Sequence, residues 1–309
     1  MKPSSPLPDF NGLPASRTAL TQGTWSTMWD FLLARFPFLS PADLAERLAL
    51  GKLVTDAGVA IRADTPYQSG GYLWYYREVP DEVPVPFEVR ILYQDAVLLV
   101  VDKPPFLPTA PVGQFVHETV LSRLRRDGQF TDIAPIHRLD RETRGVMLFC
   151  LQQQHRAAYQ TLFASRDICK TYQAIAPLVF PEKGWPHHKT SCLRPSQQHF
   201  FTMQEDPNGQ PNTETLMTLL EARGAWGRYE LMPKTGKKHQ LRVHMAALGA
   251  PILNDDWYPS VTTGAHEGLT DFSRPLQLLA KRIQFTDPLT REPRDFSSQL
   301  NLDFPLDFP

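Results

Sequence analysis

From Val89 to Phe285 the chain repeats one pattern: apolar runs of strand length that return through short polar turns. Helical stretches are interspersed but do not alternate steadily with the strands. A doubly wound fold needs a crossover helix between successive parallel strands, so this spacing argues against one. It predicts an α+β domain with a mixed, largely antiparallel sheet. Val89–Leu92 and Val97–Val101 flank Tyr93–Ala96 as a hairpin. Further strands are expected at Val146–Cys150, Thr171–Ile175, Thr215–Leu220, Arg228–Met232 and Leu276–Phe285. Helices are expected at Glu118–Arg126, His155–Phe163 and Lys238–Leu248.

Proline sets the boundaries. Many of the 29 prolines fall in residues 1–14, 80–111 and 286–309, where they mark extended segments. The expected order is a flexible leader 1–19, a small N-terminal helical and strand module 20–79, a Pro-rich linker 80–86, a larger domain 87–290 and a loosely held tail 291–309. In the small module Trp29, Leu32, Leu33 and Phe36 recur at helical spacing. Ser40 then caps a second helix with Pro41 in its first turn, Leu44, Leu48 and Leu50 line it, and Gly51 ends it.

The longest apolar run, Ala96–Val101, is far short of the roughly 20 residues that cross a bilayer. Three cysteines without a C-x-x-C suit a reducing compartment, and the expectation is a soluble, cytoplasmic monomer. A formal net charge of -1 gives no global case for nucleic-acid binding, so any such case rests on local clusters. No cofactor or metal is expected. Gly236-Lys237 lacks the rest of a phosphate loop, and G-x-G-x-x-G, G-x-S-x-G and H-E-x-x-H do not occur. His187, His188 and Cys192 lack a fourth ligand and read as a polar loop.

Two clusters stand out. Pro135–Cys150 packs His137, Arg138, Asp140, Arg141, Glu142, Thr143 and Arg144 into a turn at the mouth of an apolar strand. On charge content alone this reads as a solvated turn at least as well as a site. Leu231–Leu248 carries Lys234, Lys237, Lys238, His239, Arg242 and His244 with no acidic residue among them. Like charges at that density repel one another, which favours an anionic partner over an ordinary basic face. The loop before the helix, at its positive dipole end, suits phosphate.

His137-Arg138-Leu139-Asp140, Thr143 and Gly145 resemble the H-R-L-D-x-x-T-x-G motif of the RluA-type pseudouridine synthases. The family's L-x-P-x-T-G-[RK]-x-H-Q-[LI]-R-x-H pattern is met from Leu231 to His244. Lys170-Thr171-Tyr172-Gln173-Ala174 is similar to its K-x-Y-x-A strand, and Asp102-Lys103-Pro104-Pro105 to its early N-K-P-x-G turn. The chain departs from the pattern at Arg144, where the family has serine. It departs again at Leu279, where the family has histidine, and after Pro105, where its glycine is absent.

The resemblance implies isomerisation of uridines in rRNA or tRNA, without cofactor. Asp140 would be the carboxylate, Arg242 its salt-bridge partner, and Tyr172 the ring that stacks on the base. Three routes stay open for Asp140: addition to uracil, attack on the sugar, or removal of a sugar proton. Arg138 would fill the space left by a flipped uridine or grip its phosphate. Lys234, Lys237, Lys238, Arg123, Arg125 and Arg126 would hold the RNA backbone, with His137, Thr143, His239, Gln240 and Leu278 also in the binding set. The front module is similar in layout to the small α-L RNA-binding domain of such enzymes. The competing readings are an RNA-binding or chaperone protein on the same fold without turnover, and a hydrolase using Asp140 with a histidine.

Overall fold

A computed structural model describes residues 5–10, 13–77, 82–126, 130, 132–181, 184–262 and 271–305. The chain divides into two compact units, residues 1–81 with 125–131, and residues 82–124 with 132–309.

The first unit is a three-stranded antiparallel sheet with two helices. Its elements are β1 (Ser16–Ala19), α1 (Met28–Arg35), α2 (Pro41–Ala49), β2 (Leu53–Thr55) and β3 (Tyr72–Tyr75), with β3 central. Thr27 and Asp30 close a capping box on α1, and Ser40 caps α2 with Pro41 at its first turn, as read from the sequence. Phe31, Leu32, Leu44, Leu48, Leu53 and Leu73 form the core. Leu50 is not part of the buried stripe: it is the last-turn cap of α2 and 58% exposed. The leader is corrected as well. Ser16–Ala19 pairs with Tyr72–Tyr75, so the unit's sheet begins inside the segment expected to be loose.

In the second unit the strands are β4 (Arg90–Gln94), β5 (Leu98–Lys103), β6 (Ala134–Pro135), β7 (Arg144–Cys150), β8 (Ile168–Pro177), β9 (His187–Ser191), β10 (Leu193–Pro195), β11 (Met203–Glu205), β12 (Thr213–Arg223), β13 (Trp226–Pro233), β14 (Leu278–Thr286) and β15 (Pro293–Ser297). The helices are α3 (Val120–Arg126), whose last two residues fall in the first unit, α4 (Arg156–Ser165) and α5 (Gln240–Ala247). Among the described residues ten strands form one sheet in the order β4-β5-β7-β14-β8-β13-β12-β9, with β6 on β7 and β15 on β14. Every pairing is antiparallel except β7 with β14, which makes the sheet mixed and largely antiparallel. Ala174, Met217, Tyr229, Leu231 and Met245 are fully buried in one core cluster, and Leu98, Val100, Leu148, Cys150 and Tyr159 anchor another.

The parallel contact depends on Gly145. Its φ is +116°, and a Cβ there would sit 2.3 Å from the Ala280 carbonyl oxygen. No side chain fits between these two backbones.

Three sequence expectations change. His187–Ser191 is a strand on β12 rather than a polar loop. The expected linker lies partly outside the described residues, and within it Val85 is buried and its N–H donates to Glu118 Oε2 at 2.8 Å. The tail is tightly held through its described part. Pro293–Ser297 pairs with β14, Leu302 and Phe304 are buried against Ile175 and Leu279, and the Asp303 N–H donates to Gln277 Oε1 at 3.0 Å. Arg144 donates to the carbonyls of Asn301 and Leu276, while Asp102 accepts from Ser298 Oγ and the Gln299 N–H. The arginine that departs from the family pattern is therefore a tether for the C-terminal segment.

Candidate active site

The turn before β7, the first half of β8, the β13–α5 loop and the start of β14 open onto one cleft of about 620 Å³ in the second unit. His137, Arg138, Asp140, Thr143, Tyr172, Lys234, Lys237, His239, Gln240, Arg242 and Leu278 all line it. Two segments a hundred residues apart converge because β7 and β8 both flank β14. The Thr143 N–H closes the turn onto the Asp140 carbonyl at 3.2 Å, which fixes the aspartate's backbone just ahead of the strand.

Asp140 leaves 28% of its side chain exposed. Burial raises its pKa, and the charges of Arg242, Lys103 and Lys238 oppose that rise. Tyr172 faces the same field: burial and then the Asp140 charge push its phenol up, so it stays protonated. Its ring is an apolar wall with a neutral hydroxyl.

Arg242 is not the direct partner of Asp140. Its Nε and Nη2 form a bidentate pair with Asp255 at 2.7 and 2.6 Å, and both side chains are almost fully buried. Its guanidinium lies 4.7 Å from the Trp257 ring centroid and 5.3 Å from that of Tyr258. Burial alone would lower the arginine's pKa, but the Asp255 bonds and charge outweigh it and hold the cation above its ordinary range. The remaining nitrogen, Nη1, has no hydrogen-bond partner and lies 3.7 Å from Glu142 Oε2. Arg242 thus acts on Asp140 through space, with one donor still free.

His239 sits at a left-handed φ of 55° as the cap of α5. Its Nδ1 meets the Tyr258 hydroxyl at 2.8 Å, and its Nε2 lies 4.0 Å from Asp140 Oδ1. Burial, then Arg242 and Lys238, drop its pKa to about 3, which keeps the imidazole neutral. Because the Met203 N–H already donates to the Tyr258 oxygen at 2.7 Å, the phenol proton is best used on Nδ1. That leaves the imidazole proton on Nε2, facing the carboxylate.

Several expected RNA contacts are committed elsewhere. His137 Nε2 accepts the Leu148 N–H at 3.0 Å, its ring stacks 4.6 Å from Phe163, and burial lowers its pKa to about 3. It braces the turn and offers no charge to a phosphate. Gln240 uses both amide ends: Oε1 accepts from Thr235 and the Lys237 N–H, and Nε2 donates to the Glu214 carbonyl and Thr215. It staples the basic loop to β12. Lys234 pairs with Glu214 at 2.5 Å, so the cluster that lacks acids in sequence meets one in space. Arg123 holds the Phe87 and Val85 carbonyls and Glu118. Arg125 and Arg126 belong to the first unit. Arg138, Lys237 and Lys238 are exposed, and among the described residues neither lysine forms an ion pair.

Four neighbours escaped the sequence reading as site residues. Lys103 is fully buried and donates to the carbonyls of Pro104 and Arg141, both at 2.9 Å. Burial pushes its pKa down to about 7, with Glu142 and Asp140 pulling it back up. Its signal was the early lysine-proline turn. Asp255 had no signal beyond two adjacent aspartates. Lys170 lines the cleft with its pKa lowered by burial and then by Arg166, and Arg166 lines it too.

Residues 97–247 match the family model described as RNA pseudouridylate synthase. The chain is 32% identical over 214 residues to the dual-specificity RNA pseudouridine synthase RluA of Haemophilus influenzae, covering 68% of this chain and 92% of that one. It is 34% identical over 191 residues to human pseudouridylate synthase RPUSD2, covering 60% of this chain and only 34% of the human protein. The chain thus spans about a third of that longer relative. In three dimensions it superimposes on human RNA pseudouridylate synthase domain containing 1 with a TM-score of 0.53 at 24% identity, over 70% of this chain and 85% of that one, which speaks to the fold. The chain belongs to the RNA pseudouridylate synthase family, in its RluA-type branch.

Proposed function

We propose that this protein isomerises specific uridines in structured RNA, of the rRNA or tRNA kind, to pseudouridine, with Asp140 as the working carboxylate. The observation that carries the reading is a partly exposed carboxylate lining the cleft, where the charges of Arg242, Lys103 and Lys238 oppose the rise in pKa that burial causes and where its own charge reaches Tyr172. The reaction breaks the bond from ribose C1′ to uracil N1 and forms one from C1′ to C5; C5 gives up its proton and N1 takes one up, so the product is an isomer of the substrate. No electrons leave the substrate. Asp140 supplies the nucleophile or base, Tyr172 covers the base and Arg242 steadies the charge. A uridine inside a duplex must be flipped out before Asp140 can reach it, which costs a few kcal/mol and least where the base is already unpaired. Arg138 occupies the vacated stack or grips the adjacent phosphate, and Lys237 and Lys238 hold the backbone without reading sequence. The first unit adds RNA contacts of its own, a reading supported by its helix pair.

We further propose that the protein is a cytoplasmic monomer. Three free cysteines support the compartment, and among the described residues no helix is long and apolar enough to cross a membrane. Incubation with total cellular RNA followed by pseudouridine mapping tests the activity. New pseudouridines at discrete positions are expected. RNA that binds but gains none would leave a binding protein on this fold.

A further inference from the structure

The cleft wall carries positive charge that the steps at Asp140 leave unused. Among the described residues Asp140 is the only carboxylate lining the cleft. Arg242 is neutralised by Asp255 and Lys234 by Glu214. Lys170 and Arg166 line the cleft as well, and among the described residues neither forms an ion pair. Lys170 stands on β8 two residues before Tyr172, and side chains two apart share one face of a strand. The alternation is visible here: Lys170 and Tyr172 line the cleft, whereas Thr171 and Gln173 line a separate polar hollow. The half-buried Lys170 spends one proton on the Thr235 carbonyl at 3.3 Å, which leaves two ammonium protons without a partner. Gly236, also in the cleft lining, keeps the space beside that ammonium open. A Cβ on Gly236 would lie 3.7 Å from Lys170 Nζ and meet no other atom within 4 Å. Arg166, the exposed left-handed cap of α4, brings its charge to the same end, and burial followed by that charge pushes the Lys170 pKa down. Two cations facing a cleft wall without a carboxylate repel each other, and an anion between them would remove that cost.

We propose that Lys170 and Arg166 form a phosphate subsite of the cleft, which takes a backbone phosphate next to the target uridine. The inference rests on the RNA-modifying reading of the cleft and adds the direction of the strand through it, from Tyr172 towards the end of α4. Two residues along a strand span about 7 Å. A base covered by Tyr172 and a phosphate held by Lys170 are therefore separated by about the width of the ribose between them. The free ammonium protons and the guanidinium supply charge-assisted donors to the phosphate oxygens. Such contacts fix the register of the nucleotide in front of Asp140 and carry no sequence information.

The test is fluorescence anisotropy with the full chain and a stem–loop RNA that presents one uridine in its loop. The RNA is used unmodified and with the phosphate on the 5′ or the 3′ side of that uridine replaced by a neutral methylphosphonate. Lys170→Met should weaken binding of the unmodified RNA about 10-fold, as loss of one charge-assisted hydrogen bond does. Its salt slope should fall by about 0.7, the value for one phosphate contact on a single strand. Lys170→Arg should bind nearly as tightly as the parent. Gly236→Ala keeps every charge but sets a methyl beside the ammonium, so it should weaken binding too. The cycle between protein and RNA is decisive. One of the two methylphosphonates should weaken the parent about 10-fold and leave Lys170→Met unaffected. Arg166→Gln, at an exposed position, repeats the cycle with a smaller effect should Lys170→Met fail to fold. Parent-like affinity and slope in Lys170→Met would overturn the subsite. So would parent-like binding by Gly236→Ala, or methylphosphonates that weaken Lys170→Met as much as the parent. Tritium release from C5-labelled RNA, run beside these arms, keeps the two readings apart: a parent that binds without turnover refutes the isomerase, while the methylphosphonate cycle still decides the subsite.

Discussion

Asp140 is surrounded by three cations of different kinds, and each makes a different contribution. Arg242 is welded to Asp255, Lys103 is sealed beneath the turn, and Lys238 is exposed. The sequence showed which residue types converge but not whose hydrogen-bonding capacity was already filled. His137 and Gln240 look like ligands in a string of letters, and only the register of β7 and β12 shows that they are occupied. Two predictions follow from these pairings. Lys103→Met removes a charge that favours ionised Asp140, so the aspartate's already raised pKa should rise further. The acid limb of the single-turnover rate at saturating enzyme should therefore move to higher pH. A limb that stays put would remove Lys103 from the electrostatics of the site. Arg242→Met leaves Asp255 buried and unpaired, which should cost about 3–5 kcal/mol in denaturant unfolding. Arg242→Met/Asp255→Leu should recover much of that stability without recovering activity. A single variant costing under about 1 kcal/mol would mean that water relieves the buried carboxylate.

At the scale of elements, the apolar strands and three helices of the second unit were legible because their patterns are long and strongly periodic. The strands His187–Ser191, Leu193–Pro195 and Met203–Glu205 were not. They are short and largely polar, and exist because β12 and each other supply their pairing. The C-terminal segment was misread for a related reason. Its few apolar residues are spread among prolines, so no local pattern announces that Leu302 and Phe304 bury against Leu279 and against Ile175, a strand residue over a hundred positions earlier. Phe304 is also flanked by Arg223 and Arg228, 4.5 and 5.2 Å from its ring. Phe304→Ala should therefore cost about 3 kcal/mol, as a core aromatic does. Phe180→Ala, at a position 74% exposed, should cost no more than about 0.5 kcal/mol. Equal effects in urea titrations would restore the loose tail.

For the molecule as a whole, the buried histidines set the response to acid. Burial lowers His137 and His239 to about 3 and His244 to about 4, all below the ordinary value near 6.5. His244 is enclosed by Ser191, Thr213 and Thr215, all within 3.1 Å. Between roughly pH 6.5 and these values the unfolded chain binds protons that the folded chain refuses. The stability that these three imidazoles contribute is therefore complete above about pH 6.5 and is lost as pH falls. The guanidinium midpoint should drop clearly from pH 7 to pH 5 with an unchanged m-value. A flat midpoint over that window would mean that these imidazoles protonate in place.

The central claim is that the Asp140 carboxylate performs the isomerisation in a fold that does not need it for stability. Asp140→Asn is nearly isosteric, and the site it occupies is stabilised by the turn, Lys103 and the Arg242–Asp255 pair rather than by the carboxylate itself. Tritium release from C5-labelled uridine RNA, measured beside thermal unfolding and RNA binding, is the most direct test. The account predicts unchanged melting and affinity with turnover abolished, because an amide is neither nucleophile nor base. Turnover within tenfold of the parent in Asp140→Asn would contradict it.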